Sequence, residues 1–74
     1  MVRKNLQQAR KAADMTQQAM AEKLGVTLRY YQRIEYGESG GSFEVWDALE
    51  DLLGVHQRIL RETSSNHPAP KENP

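Results

Sequence analysis

Residues 17–36 read QQAMAEKLGVTLRYYQRIEY, which is two short apolar-periodic segments with a glycine between them. In the first segment Met20 and Leu24 stand about one helical turn apart, and in the second Tyr31 and Ile34 do so. Gly25 can take the left-handed conformation that ends a helix at no steric cost. Two helices joined by a three- or four-residue turn with a glycine form a helix-turn-helix unit, and residues 17–36 predict such a unit.

The rest of the folded part is predicted to be helical as well. Apolar residues recur at helical spacing through residues 2–62, and no segment alternates as a strand does. Thr16, Thr27 and Ser42 are expected N-caps, because a hydroxyl can accept a hydrogen bond from a free amide of the first turn. Short connections between helices predict a compact all-α bundle. We expect five helices, at about residues 3–13, 17–24, 28–36, 43–53 and 55–62.

One face of each helix is expected to point inward. Ala21 is expected where the two helices of residues 17–36 cross closely, because a larger side chain there would push them apart. The expected core residues are Leu6, Ala9, Ala13, Met20, Leu24, Val26, Tyr31, Ile34, Phe43, Trp46, Leu49, Leu53, Ile59 and Leu60. Val45 and Leu52 add a second apolar stripe to the fourth helix, which indicates either burial under the fifth helix or a partner surface. Val45, Leu52, Val55 and Ile59 are therefore the candidates for a dimer contact.

Composition excludes several classes of protein. The chain has 74 residues, which is room for one small domain, and it has no cysteine, so disulfides and cysteine-based metal sites are excluded. We expect that domain at residues 2–62 and a disordered tail at 63–74, where three prolines and few apolar residues occur. No secretory signal and no membrane span is expected. The two histidines have no ligand spacing to other residues, so we expect no metal. A folded part this small has little room for a catalytic pocket and no Ser/His/Asp set or carboxylate pair is suggested, so we expect no enzyme and no cofactor.

Charge is separated along the chain although the formal net charge is zero. Residues 1–33 contain seven Lys or Arg against two Asp or Glu, and residues 34–74 contain three against eight. This distribution permits a basic face that meets phosphate and an acidic face that points away from it. The basic half includes Arg29 and Arg33, which are expected on the outer side of the third helix.

The sequence resembles the Cro and lambda-repressor-like helix-turn-helix proteins, also called the xenobiotic-response-element family. The residues that carry the resemblance are Leu6-x-x-x-Arg10, Met15-Thr16-Gln17-Gln18-x-Met20-Ala21-x-x-Leu24-Gly25-Val26-Thr27, Tyr31-x-x-Ile34-Glu35-x-Gly37, Ser42-Phe43-Glu44-x-Trp46-x-x-Leu49 and Leu53-Gly54-Val55. They occur in register over about residues 4 to 60. The resemblance implies a five-helix lambda-repressor-like domain in which helices 2 and 3 are the helix-turn-helix.

The resemblance also implies a role for each matching position. Leu28, Arg29 and Arg33 would face base edges in the major groove, and Tyr30 and Gln32 would face the flanking backbone. Gln17 would bind phosphate or brace the third helix, and Thr27 would contact phosphate. Arg10 and Glu35 would form a structural ion pair between the first and third helices. In relatives the loop after the third helix often carries Lys or Arg, whereas residues 37–42 here read GESGGS, with an acid and no base.

We therefore expect a sequence-specific double-stranded-DNA-binding regulator of the repressor type that acts as a homodimer, since one helix reads only a few base pairs. It would be cytoplasmic and would lie on the nucleoid when bound to DNA. No sensing domain is expected, so a regulatory signal would come from a partner protein or from the expression level, and no small-molecule ligand is expected. Two alternatives stay open: a protein-interaction module such as a coactivator or anti-repressor, and the antitoxin of a toxin–antitoxin pair.

Overall fold

The computed structural model describes residues 2–63 of the chain, so the tail predicted for 63–74 lies outside the described residues apart from Thr63. Five helices form this part. They are α1 (Lys4–Ala12), α2 (Gln17–Leu24), α3 (Leu28–Glu35), α4 (Phe43–Leu53) and α5 (Gln57–Leu60). The prediction of an all-α, five-helix domain is confirmed. Among the helices of residues 2–63, none has the length and hydropathy of a membrane span.

Hydroxyl caps start three of the helices, because they satisfy amides that have no partner within the helix. The Thr16 hydroxyl accepts from the Ala19 amide at 3.0 Å, and the Thr27 hydroxyl accepts from the Tyr30 amide at 3.1 Å. The Ser42 hydroxyl accepts from the Val45 amide at 3.3 Å and starts α4. These caps set where α2, α3 and α4 begin, as the sequence predicted.

A single core lies between the five helices, since each of them contributes apolar side chains to it. The buried residues of this core are Leu6, Met20, Ala21, Tyr31, Ile34, Val45, Trp46, Leu49 and Leu60. Ala9, Leu24, Val26 and Leu53 pack against it while partly exposed. Ala13, which we expected inside, is the exposed residue that follows α1.

Two large apolar residues that we expected in the core, one aromatic and one aliphatic, are exposed. Phe43 is 78% exposed, because it is the first residue of α4 and its side chain points toward the helix N-terminus, beyond the end of the core. Trp46 fills that end instead, and its indole N–H donates to the Gly40 carbonyl at 2.8 Å. Ile59 is 46% exposed, because a one-turn helix can bury little more than its neighbour Leu60.

Helix α5 is shorter than the predicted 55–62. His56 is its N-cap, and the imidazole Nδ1 accepts from the Arg58 amide at 3.0 Å, so Val55 and His56 stay outside the helix. At the other end, the Arg61 carbonyl accepts a hydrogen bond from the Arg3 guanidinium at 3.0 Å. Periodicity alone predicted a longer helix, since it does not detect a histidine cap or a donor from the other end of the chain.

Candidate nucleic-acid interface

The α2–turn–α3 unit is held by close packing and by a tight turn. Gly25 has a φ of 73°, which is the left-handed conformation expected for the residue that ends α2. The Val26 amide then donates to the Ala21 carbonyl at 3.0 Å, and this bond closes the turn. Ala21 is buried between the helices, where a larger side chain would push them apart. The turn therefore sets the angle at which α3 leaves α2.

Helix α3 has a buried side and an exposed side. Tyr31, Ile34 and Glu35 are buried, and Arg29 and Arg33 are exposed one helical turn apart. The remaining predicted contact residues of α3 are half-buried: Leu28, Tyr30 and Gln32. Thr27, at the start of the helix, is exposed. The exposed side thus presents two guanidinium groups at a spacing of four residues.

A buried ion pair attaches α3 to α1. Arg10 Nε lies 2.8 Å from Glu35 Oε2, and Arg10 Nη2 donates to Glu35 Oε1 at 3.2 Å. The other end of the guanidinium, Nη1, donates to the Met15 carbonyl at 2.8 Å, so the pair also reaches the segment before α2. Glu35 is fully buried. These are the two residues that the family resemblance joined as an ion pair.

Glu35 is charged although it is buried. Burial opposes its charged form, but hydrogen bonds from Arg10, Tyr31 and Gln17 outweigh burial, and the pKa of Glu35 lies below its usual value. The Tyr31 hydroxyl donates to Glu35 Oε2 at 2.6 Å. Burial, followed by this hydrogen bond to Glu35, raises the pKa of Tyr31. The hydrogen bond to Glu35 raises the pKa of Arg10 in turn, so the pair stays ionised.

The Gln17 amide connects this ion pair to the outer side of α3. Its Nε2 donates to Glu35 Oε1 at 2.8 Å and to the Tyr36 hydroxyl at 3.3 Å. Its Oε1 accepts from Gln32 Nε2 at 3.2 Å. Both amide protons are therefore used inside the protein. These contacts correspond to the second of the two roles that the resemblance implied for Gln17, a brace for the third helix.

Tyr36 was not among the predicted site residues. It follows α3 directly and is partly exposed, with its hydroxyl beside Gln17. Since this hydroxyl accepts from Gln17, its own proton remains to donate outward. Gln32 and Tyr36 are four residues apart, which places both on one face of the helix end. That spacing was the sequence signal for Tyr36.

The acidic loop after α3 contacts one of the two exposed arginines. Arg33 Nε lies 4.0 Å from Glu38 Oε1, and both side chains are more than half exposed. The Glu38 amide donates to the Arg33 carbonyl at 2.8 Å, which holds the acid next to the last turn of α3. Within residues 2–63, Arg29 has no carboxylate within 4.0 Å. The two guanidinium groups therefore stand in different electrostatic surroundings.

The four dimer candidates do not form one surface. Val45 is 6% exposed and belongs to the core, so its assignment to a partner contact is wrong. The apolar face of α4 is wide, and its Val45 side is buried within the chain. Val55 is half-buried against the core. Leu52 and Ile59 are 39% and 46% exposed and are the candidates that remain available.

Comparison with protein-family models gave a match that includes the α2–turn–α3 unit. The model described as Helix-turn-helix, of the Cro/C1 type, matches residues 6–56. The chain belongs to this helix-turn-helix family. The resemblance drawn from the sequence motifs is thereby confirmed. The helix-turn-helix family is a DNA-binding, regulatory one, and the match includes both helices of the unit and all of α4.

Helix α5 follows the segment that the helix-turn-helix model matches. Comparison with curated proteins gave no match, and comparison with solved structures gave none either. In the described part of the chain no three His, Asp or Glu residues are grouped so that they could hold a metal ion. The candidate nucleic-acid interface therefore consists of the exposed face of α3 and the polar residues around it.

Proposed function

We propose that the chain is a sequence-specific transcriptional regulator of the repressor type, with α3 in the major groove of double-stranded DNA. The observation that carries the proposal is the pair of exposed arginines, Arg29 and Arg33, on the second helix of a helix-turn-helix unit. A guanidinium can donate two hydrogen bonds to guanine O6 and N7 or to a phosphate. Leu28 offers no hydrogen bond and would contact a thymine methyl group.

Backbone contacts are assigned to the polar residues beside this face. Thr27 is exposed and its hydroxyl accepts from the Tyr30 amide, so the hydroxyl proton can donate to a phosphate oxygen. Gln32, Tyr30 and Tyr36 lie at the flank and would contact phosphate or sugar. Gln17 is assigned a positioning role, since its amide holds Gln32 and Tyr36 in place.

We further propose a symmetric dimer as the form that binds. One α3 reads only a few base pairs, so two half-sites about one helical turn apart supply the affinity and specificity of a regulator. Leu52 and Ile59 support this proposal because they are large, apolar and exposed on α4 and α5. Val55 would complete the contact at its edge.

Selection of bound sequences from a random duplex pool tests the proposal. We expect enrichment of a motif with two inverted half-sites about one helical turn apart. Arg33→Ala is expected to relax the preference at one position of each half-site and to cost about 1–3 kcal/mol at the best site. A pool that stays unenriched at low ionic strength would exclude sequence-specific binding, and an unchanged motif with Arg33→Ala would exclude the role of Arg33.

A protein-interaction module is the second candidate, and the exposed Phe43 favours it. Phe43 stands beside Glu44, and three further acids follow on α4, so this helix presents an aromatic and acidic surface that would repel DNA. Salt dependence separates the two candidates. Binding through several phosphates loses affinity steeply between about 50 and 200 mM salt, whereas an interaction module has no duplex affinity at either concentration.

A further inference from the structure

An open basic groove lies between the start of α1 and helix α5, apart from the exposed face of α3. Its volume is about 530 Å³, and its lining residues are Arg3, His56, Gln57, Arg58, Arg61 and Glu62. Three arginines against one carboxylate leave a surplus of positive charge. The DNA-binding roles proposed above use none of these residues.

Arg3 is buried in the wall of this groove without an acidic partner. It is 8% exposed, its Nε donates to the Arg61 carbonyl, and its Nη1 donates to the carbonyls of Ile34 and Ser39. No carboxylate in residues 2–63 lies within 4.0 Å of it. Carbonyl dipoles satisfy hydrogen bonds but do not neutralise a charge, and a buried charge without a counter-ion is costly.

A second arginine lies on the same aromatic ring. The guanidinium carbon of Arg3 is 5.2 Å from the centroid of the Trp46 ring, and that of Arg61 is 6.0 Å from it. Burial lowers the pKa of Arg3, and the nearby charge of Arg61 lowers it further. Two cations thus lie near each other, and an anion bound beside them would stabilise both.

The acid of the groove does not neutralise these cations. Glu62 accepts a hydrogen bond from Asn5 Nδ2 at 3.0 Å, and it lies more than 4.0 Å from the described arginine nitrogens. Arg58 and Arg61 likewise have no ion pair with any acid that the structure describes. Both are exposed at the groove and have side chains long enough to turn toward a ligand.

We propose that this groove binds a phosphate group, with Arg3, Arg58 and Arg61 as its cationic ligands. A phosphate has enough oxygen acceptors to bind several guanidinium groups at once, and up to two negative charges to match the surplus. The groove adjoins the loop after α3, since Arg3 bonds to Ser39 and Arg61 also lines a cleft with Gly41 and Ser42. Two sources can supply such a group: a DNA strand that passes this loop, and a free or small-molecule phosphate.

The test uses Trp46, the single tryptophan of the chain, as the reporter. The full chain in a phosphate-free buffer is titrated with inorganic phosphate, with sodium chloride keeping the ionic strength constant. A saturable change in Trp46 emission is expected. Arg58→Gln and Arg61→Gln should each raise the midpoint about five-fold or more, since each removes a charged ligand. The Arg58 guanidinium does not lie over the Trp46 ring, so Arg58→Gln should leave the Trp46 emission in phosphate-free buffer unchanged.

Lys23→Gln is the matched control, because it removes the same charge from an exposed position on α2 and should leave the midpoint unchanged. A change in emission that does not saturate overturns the proposal, and so does a common midpoint for the wild type and both arginine variants. This arm contains no DNA, so its result is separate from that of the selection experiment.

A second arm identifies the source of the phosphate. Random-sequence duplex DNA is titrated with and without inorganic phosphate at one ionic strength. If inorganic phosphate weakens DNA binding by the wild type but not by Arg58→Gln, a DNA strand is the source of the phosphate group. DNA binding that neither phosphate nor Arg58→Gln alters, together with a saturable phosphate titration, identifies a free phosphate group.

Discussion

Glu35 is a buried residue on which hydrogen bonds from three side chains converge. It accepts hydrogen bonds from α1 through Arg10, from α2 through Gln17 and from its own helix through Tyr31. Removing one partner of such a group leaves the others with unpaired donors in a dry environment. The position of α3 relative to the other two helices therefore depends on this carboxylate.

Replacing Glu35 with glutamine is expected to destabilise the chain by about 3 kcal/mol, because the amide leaves the Arg10 charge uncompensated. Urea unfolding followed by Trp46 emission measures the loss. Glu22→Gln is the control, since Glu22 is exposed and the change should stay within about 0.5 kcal/mol. Equal stabilities of the two variants would contradict the role given to the buried pair.

The same carboxylate is expected to make stability depend on acid. The pKa of Glu35 is lowered in the folded chain, so the unfolded chain binds its proton first as pH falls. The free energy of unfolding contributed by Glu35 is complete above the unfolded value of about 4.3 and is lost as pH falls through the folded pKa. Unfolding measured at several pH values should show this decline in the wild type and a smaller one in Glu35→Gln.

Glu38 is expected to weaken DNA binding, because it competes with phosphate for Arg33 and repels the strand. Since the pair is exposed, its contribution is small, and Glu38→Gln should raise duplex affinity by about 3- to 10-fold at about 0.1 M salt. Fluorescence anisotropy of labelled DNA measures the change. Asp51→Asn removes an equal charge from exposed α4 and should have a much smaller effect. Equal gains for both variants would mean that only net charge matters.

At the scale of helices and loops, two glycines with similar φ angles are required for different reasons. Gly25 and Gly41 have φ values of 73° and 74°. A Cβ built on Gly25 meets nothing within 4 Å, whereas one on Gly41 lies 2.7 Å from the indole nitrogen of Trp46. The first glycine is required by conformation alone. The second is required by conformation and also by the close approach of the loop to the core.

Gly25→Ala is accordingly expected to cost about 1 kcal/mol, the penalty of a left-handed alanine. Gly41→Ala should cost about 2–3 kcal/mol, since Trp46 must also move. Urea unfolding measures both losses, and a shift of Trp46 emission should accompany Gly41→Ala alone. Equal losses with unshifted emission would show that the loop yields without disturbing the core.

At the scale of the whole molecule, the exposed arginines of α3 and the exposed apolar residues lie on different helices. The exposed arginines of α3 belong to the basic half of the sequence, and the exposed Leu52 and Ile59 belong to the acidic half. A dimer formed through Leu52 and Ile59 uses the α3 arginines of neither copy. This division is what a symmetric DNA-binding pair requires, because each copy must face its own half-site.

Leu52→Glu and Ile59→Glu are each expected to shift the dimer toward monomer, because a charge would be buried in the contact. Both side chains are well exposed in the single chain, so its unfolding free energy should change by less than about 1 kcal/mol. Sedimentation at high micromolar concentration measures the state. A monomeric wild type, or dimers that both variants preserve, would exclude this contact.

The local features of the fold were predictable from the order of residues. Helices α2, α3 and α4 begin after Thr16, Thr27 and Ser42, and hydroxyl caps and helical periodicity are properties of neighbouring residues. The exposed positions of Arg29 and Arg33 were predictable for the same reason. Their contact roles and the motif they read stay predictions that the selection experiment tests.

Contacts between distant residues arise from assembly of the helices and were not predictable. Phe43 and Ile59 fit a helical core pattern, yet the ends of the core exclude them, because Trp46 and Leu60 already fill that volume. From the sequence, Arg3 was counted only as a charge, whereas in the structure its guanidinium donates to the Arg61 carbonyl, 58 positions away, in a partly buried hydrogen bond. Spacing along a chain fixes which face of a helix is apolar, but only packing fixes what that face meets.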